Sequence, residues 1–376
     1  MTINRDVANI ASRPNITRRD HVYPLITNGD MRIAQRGTSS TGVGASNQYE
    51  TVDMFRHNFV AANAGRLTST QSTDVPTGQG FKHSLKLDCT TADTSIGASE
   101  WGQIYTGIEA QNLTMWNKGT TSCRTITVCF WAKGTAKTYV CELYDSDNNR
   151  QISKLFTVTT DWKKHVINFP ADTSTSDDLT YDTDAGLQLQ FQIHAGSTYT
   201  SGTLNSEAWN DVSNANRYPG IDSFFDSTDN ELYLTGVQLE FDTYAEGTEP
   251  PFQFVDQATQ LLHCQRYAQL LCNGDDQCLG FGYYYNANHI IFQAHHKNAM
   301  RTAPTIELTT TAGSDNFAIN TRSTTDTFDT LDGVQQAHTM GTAIFVGGDG
   351  AAGTSGDNGD VRTNHADVKL ILSADF

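Results

Sequence analysis

The chain has 376 residues, with 25 Lys plus Arg against 42 Asp plus Glu, a formal charge of −17, and only 18% charged but 10% aromatic residues. That aromatic content supports a packed core and excludes global disorder, while the acidic balance makes the chain a poor general binder of nucleic acid. No run approaches the ~20 apolar residues of a membrane-spanning helix, so neither DNA wrapping nor membrane insertion is expected. The opening MTINRDVANIASRPN holds no apolar stretch of a secretion leader. The length suggests two or three domains.

In chain order, the first segment is basic. Arg5, Arg13, Arg18, Arg19, Arg32 and Arg36 face only Asp6, Asp20 and Asp30 over residues 1–36. Residues 1–24 have few apolar side chains, and read as an arm that docks on an acidic partner surface, or else as a solvated terminus. Short alternating runs follow: Ser84 to Cys89, Thr125 to Trp131, Tyr139 to Tyr144, Leu155 to Val158, His165 to Phe169, Leu187 to Ile193 and Glu231 to Glu240. Turn-forming clusters such as DSDNN at 145–149 and DTSTSDD at 172–178 separate them. This pattern predicts an all-β sandwich or barrel over residues 25–245.

Residues 246–251, EGTEPP, read as a stiff linker. A helix is expected over 256–271, capped by Asp256, with Leu261, Cys264, Ala268 and Leu271 on one face. Strands then resume at Phe281 to Tyr285, His289 to His295, Thr305 to Leu308, Thr342 to Phe345 and Val368 to Leu372, predicting a smaller β domain over 273–376. The seven cysteines, Cys89, Cys123, Cys129, Cys141, Cys264, Cys272 and Cys278, include no CxxC pair. They read as reduced structural residues of a chain made in a cytosol.

Sites of chemistry are sparse. No GxSxG, SxxK or phosphate-loop pattern occurs, and the glycine-rich stretch 347–359 reads as a mobile loop, since no helix follows it. His295 and His296 are adjacent, so in a strand they point to opposite faces and share an ion poorly. Asp145, Asp147 and Asn149 resemble the start of a calcium loop, but Phe156 stands where the closing glutamate belongs; a hairpin turn is expected instead. Glu100, Glu109, Glu142 and Glu207 are acids that spacing alone cannot pair for sugar hydrolysis. No catalytic residue, metal or cofactor is assigned, and no enzyme is expected. Binding has better support: segment 196–220 carries Tyr199, Trp209 and Tyr218 among Asn, Ser and Gly. Aromatic faces stack on sugar rings while polar neighbours take the hydroxyls. These three are the candidate glycan-binding residues, the alternative being that Trp209 plugs one end of the sandwich.

Several stretches resemble one family. LITNGDMRIAQRG at 25–37, YETVDMF at 49–55, IEAQNL at 108–113, TVCFWAK at 127–133, TDWKK at 160–164 and LTGVQLE at 234–240 occur in order, followed by Pro251-Phe252 and CQRY at 264–267. This order resembles phage tail-fibre and virion-appendage proteins with a carbohydrate-binding-module-like jelly roll. The glycine usual before Gln111 is replaced by Ala110, and the linker is longer. The resemblance implies a jelly-roll sandwich, a linker helix and a C-terminal tip, in a structural homotrimer assembled in the bacterial cytoplasm and carried on the virion. It further implies attachment to tail or portal-proximal adaptor proteins through the N-terminal arm, and recognition of a host-surface glycan. A capsid or collar decoration without host contact, and a polysaccharide depolymerase, are the alternatives.

Overall fold

The computed structural model describes residues 23–60, 62–347 and 350–376. Arg5, Arg13, Arg18 and Arg19 of the expected docking arm therefore lie outside the described residues. The chain divides into two compact units. One runs through Arg32 and resumes over Thr38–Val255; the other joins Ile33–Gly37 to Asp256–Phe376.

The first unit is a jelly-roll sandwich. Its strands are β1 (Ser39–Val43), β2 (Asn47–Tyr49), β3 (Arg56–Phe59), β4 (Arg66–Ser72), β5 (Ser84–Thr91), β6 (Trp101–Glu109), β7 (Ile126–Gly134), β8 (Lys137–Asp145), β9 (Arg150–Val158), β10 (Lys163–Phe169), β11 (Ala185–Ala195), β12 (Asn210–Asp211) and β13 (Glu231–Phe241). One sheet has the order β1-β4-β5-β13-β7-β10 and the other β12-β9-β8-β11-β6-β3-β2, so the chain changes sheet at every connection except β2–β3, β4–β5, β8–β9 and β11–β12. Alternation sets the inner faces: Val128, Phe130 and Ala132 of β7 and Leu187, Leu189, Phe191 and Ile193 of β11 are fully buried. Phe130 meets Phe156 and Phe191 of the opposite sheet edge-on, each at 5.0 Å. Burying each such ring contributes about 1.5–3 kcal/mol.

A polar knot forms around the β8–β9 turn. Asp145 accepts the Asp147 and Asn148 backbone N–H groups, each at 3.1 Å, which makes DSDNN the expected hairpin turn. The cation beside it comes from the chain itself. Lys118 Nζ, fully buried, lies 2.9 Å from Asp145 and 3.1 Å from Asp172, and donates to the Asp177 carbonyl at 2.6 Å. Arg150 clamps Asp172 from the other side with two hydrogen bonds of 2.9 and 3.0 Å.

Two core histidines tie the sandwich to pH. His57 is fully buried on β3, and neither of its ring nitrogens has a partner among the described residues; burial lowers its pKa to about 3. His165 stacks on Phe130 at 5.0 Å, and burial, then Lys163, lower it to about 4. Both folded values lie below the ordinary 6.5, so the unfolded chain takes up protons first. Their stabilisation is complete above pH 6.5 and is lost as pH falls through the folded values. By about pH 5 each should have lost roughly 2 kcal/mol. Urea unfolding of His57→Phe should show a weaker fall in stability between pH 7 and 5 than the parent chain; equal slopes would remove His57 as a cause.

The second unit starts with α1 (Gln257–Gln265), capped as expected by Asp256, which accepts the Thr259 N–H at 3.0 Å. The helix stops sooner than the predicted 271. Ala268–Asn273 forms strand β14 instead, because its backbone pairs with the C-terminal strand and a ladder bond outweighs local helix preference. The remaining strands are β15 (Cys278–Asn286), β16 (His289–His295), β17 (Thr305–Thr309), β18 (Phe317–Thr321), β19 (Thr325–Phe328), β20 (Gly333–Val334), β21 (Gly341–Gly347), β22 (Asn358–Thr363) and β23 (Lys369–Ser373). They form a three-stranded sheet, β14-β23-β17, and a seven-stranded sheet, β19-β18-β22-β15-β16-β21-β20. Part of the stretch expected to be a mobile loop thus forms an interior strand. Gly359 makes this possible: a Cβ there would fall 1.8 Å from the Asn320 carbonyl oxygen.

The unit boundaries also differ from those expected. The sandwich continues to Val255 rather than 245, and Ile33–Gly37 belongs to the second unit. Arg36, the last arginine of the basic stretch and beyond the expected arm, is tied down within the second unit. Its guanidinium grips both oxygens of Glu307, at 2.7 and 2.8 Å, and also binds Asp375.

Candidate functional site

The segment expected to bind glycan is folded down onto its own sandwich. Trp209 is 5% exposed; its ring packs 5.5 Å from Trp116, and its indole N–H donates to the Pro170 carbonyl at 2.9 Å. Tyr218 is 1% exposed, with its hydroxyl 3.2 Å from Glu142. Burial and then the Glu142 charge hold this phenol well above its ordinary pKa. Arg217 pairs with the same carboxylate through two hydrogen bonds, of 2.9 and 2.5 Å. Tyr199, half-buried, rests 6.0 Å from the Tyr218 ring.

The physical reason is that this long segment covers polar groups on the outer face of the seven-stranded sandwich sheet. Once covered, an indole N–H and a phenol must find partners, and Pro170 and Glu142 supply them. Trp209 and Tyr218 are corrected accordingly: they anchor the cover and offer no free ring face. Glu142, one of the candidate acids, is spent in the same ion pair.

Exposed aromatics stand in the second unit. Along β15, Phe281, Tyr283 and Tyr285 are 77%, 45% and 63% exposed, while Gly282 and Tyr284 between them turn inward. Period-two alternation puts the three rings on one face at intervals of about 7 Å. The inward positions explain the spacing of side-chain size. A Cβ at Gly282 would come within 2.9 Å of Phe292 and Val361, and Tyr284, fully buried, bonds Asp326 through its hydroxyl.

The neighbouring strands complete the surface. On β22, Asn358 lies opposite Tyr283 and Asp360 opposite Phe281; beyond them Asn320 of β18 donates to Asp360 at 3.0 Å. On the other side a groove of ≈460 Å³ is lined by Tyr283, Tyr285, Asn286, His289, Gln335 and Phe345, with further residues of β16 and β21. His289 stacks on Phe345 at 5.2 Å and 21°, and its Nδ1 lies 2.7 Å from Asn286 Oδ1. The face thus offers flat rings in a row, flanked by amides, an imidazole and a carboxylate. Rings of this kind cover the C–H face of a sugar, and amides and carboxylates exchange hydrogen bonds with its hydroxyls.

Sequence reading treated FGYYY at 281–285 only as a strand. The available signal was aromatic side chains at both parities, more than one buried face consumes. His296 has both ring nitrogens engaged, with the Thr339 carbonyl at 3.0 Å and Thr342 Oγ1 at 2.9 Å.

No known protein family's profile matches the chain, and no curated protein matches it in sequence. Among solved structures, the enzymatically active domain of tailspike protein 4 of bacteriophage CBA120 is similar over 58% of this chain and 21% of its own, at 12% identity and a TM-score of 0.29. The chain spans about a fifth of that domain's length. A family 11 carbohydrate-binding module from a Clostridium thermocellum cellulosomal cellulase is similar over 55% of this chain and 99% of its own, at 9% identity and a TM-score of 0.29. A family 29 module complexed with mannohexaose covers 57% and 99%, at 10% identity and a TM-score of 0.25. These overlays are partial, and the architecture rests on the strand order given above.

Proposed function

We propose that the chain is a structural component of a phage particle whose C-terminal unit binds a host-surface glycan without cleaving it. The observation that carries the binding role is the exposed row Phe281, Tyr283 and Tyr285 beside the ≈460 Å³ groove. The virion role is supported by the ordered stretches from Leu25 to Tyr267 that resemble appendage proteins. In this reading the chain is a homotrimer held to tail or portal-proximal proteins by Arg5, Arg13, Arg18 and Arg19, and the sandwich is a rigid body rather than the receptor site.

The test uses full-length protein of known oligomeric mass against a panel of host polysaccharides and intact cells. Tyr283→Ala combined with Tyr285→Ala should weaken glycan binding at least about tenfold, since each stacked ring contributes roughly 0.5–1.5 kcal/mol beyond area burial. Its melting temperature should stay near that of the parent, because both side chains are exposed. Parental affinity in the double variant would move the site elsewhere. A trimer that binds no cell or glycan would favour the decoration role, and release of reducing ends from the polysaccharide would favour a depolymerase.

A further inference from the structure

We infer that Asp93, Glu100 and His194 form a site for one divalent transition-metal cation of the Zn²⁺ class, in the sandwich unit and independent of the glycan face. All three side chains are buried, and one ligand atom from each lies within 4.8 Å of the other two. His194 is fully buried at the end of β11, and Glu100 immediately precedes β6. His194 Nε2 and Glu100 Oε2 face each other at 3.7 Å, and neither has a hydrogen-bond partner among the described residues. Two buried acceptors turned toward one point are costly unless something positive lies between them.

The supporting groups are arranged as metal ligands require. His194 Nδ1 lies 2.8 Å from Ser223 Oγ, an oxygen that also takes the Phe225 N–H at 3.1 Å. With Nδ1–H donating to that oxygen, the Nε2 lone pair points at the carboxylates. Asp93 is oriented by the Ser95 N–H on Oδ1, at 3.0 Å, and the Ala64 N–H on Oδ2, at 3.3 Å, and its carboxyl interacts with that of Glu100. The loop between β5 and β6 is folded tightly enough to bring Glu100 back to His194. Glu100 N–H donates to the Gly97 carbonyl at 3.1 Å, and Gly196 N–H to the Glu100 carbonyl at 2.8 Å. A Cβ on Gly196 would fall 2.0 Å from the Gly97 oxygen, so the close approach depends on glycine.

The donor set selects the ion. Imidazole with two carboxylates suits Zn²⁺ and its neighbours, whereas Ca²⁺ and Mg²⁺ prefer oxygen alone. Bonds of about 2.0–2.2 Å in a tetrahedron put ligand atoms roughly 3.3–3.6 Å apart, close to the 3.7 Å between His194 and Glu100. A bound ion would staple the 92–100 loop to the end of β11.

The experiment strips the full chain with a chelator and titrates it calorimetrically with Zn²⁺ in excess Ca²⁺, while following the melting temperature. Cys278→Ser serves as background, because exposed Cys278 is a competing ligand. One Zn²⁺ per chain is expected, with a melting temperature that rises with Zn²⁺ and ignores Ca²⁺. Co²⁺ in its place should give a spectrum without thiolate charge transfer. Glu100→Gln should fold as the stripped parent does and lose affinity by at least about tenfold; Asp93→Asn is the second variant should the first unfold. Equal Zn²⁺ affinity in both carboxamide variants, thiolate bands with Co²⁺, or stabilisation by Ca²⁺ alone would each overturn the assignment.

Discussion

Lys118→Met should destabilise the sandwich by about 3–5 kcal/mol, the range for removing one partner of a buried ion cluster. The ammonium is fully buried and answers two carboxylates that are themselves buried, Asp145 and Asp172. Arg150 would still hold Asp172. Asp145 would keep only the hydrogen bonds of its turn and would have to be protonated or hydrated. Methionine fills much of the space, so the loss measures charge more than volume. Tryptophan fluorescence reads this unit alone, because Trp101, Trp116, Trp131, Trp162 and Trp209 all lie within it. Adding Asp145→Asn to Lys118→Met should recover part of the loss, as a double-mutant cycle for a direct pair demands. A loss below about 1 kcal/mol would mean that water reaches the cluster.

Trp209→Ala should cost a similar amount, about 3–5 kcal/mol, and leave glycan binding unchanged. The substitution empties the contact with Trp116 and strips the Pro170 carbonyl of its donor. Trp209→Phe should cost about 1 kcal/mol, the net worth of one hydrogen bond, with most of the packing kept. Its effect will not add simply to that of Lys118→Met, because Arg150 bonds both Asp172 and the Trp209 carbonyl. Loss of glycan binding in Trp209→Ala at parental stability would restore this ring as a ligand platform.

The strands that were legible are those whose side chains alternate apolar and polar in sequence, even where the polar face is later covered. The alternation of Leu187, Leu189, Phe191 and Ile193 marks β11 without help from tertiary structure, and His289–His295 runs as expected. β6 was not legible, because in WGQIYTGIE the apolar Trp101, Ile104, Tyr105 and Ile108 keep no period of two. β22 reads as a turn, NGDVRT, and becomes a strand only because two neighbours accept it. The helix was overextended because Leu270 and Leu271 suit either state, and the pairing that decides lies about a hundred residues away. The site failed differently. A long polar loop with aromatics looks the same whether it is open or folded down, and Glu142, which folds it down, is 75 residues from Arg217. Asp93, Glu100 and His194 carry no spacing signature, since the third ligand comes from a separate strand.

The detour of Ile33–Gly37 into the second unit limits how this molecule can be taken apart or put together. A fragment cut at the linker and containing only residues 256–376 would lack Arg36, leaving Glu307 and Asp375 beside each other with no guanidinium between them. It would also lack Gln35, whose amide reaches the Ala268 carbonyl at 2.7 Å and so steadies the first strand after the helix. On the ribosome the same tie must wait: Arg36 emerges early, and its Asp375 partner is made 339 residues later. All the strands of the sandwich are therefore translated between Ile33–Gly37 and the rest of the second unit, and can finish folding first.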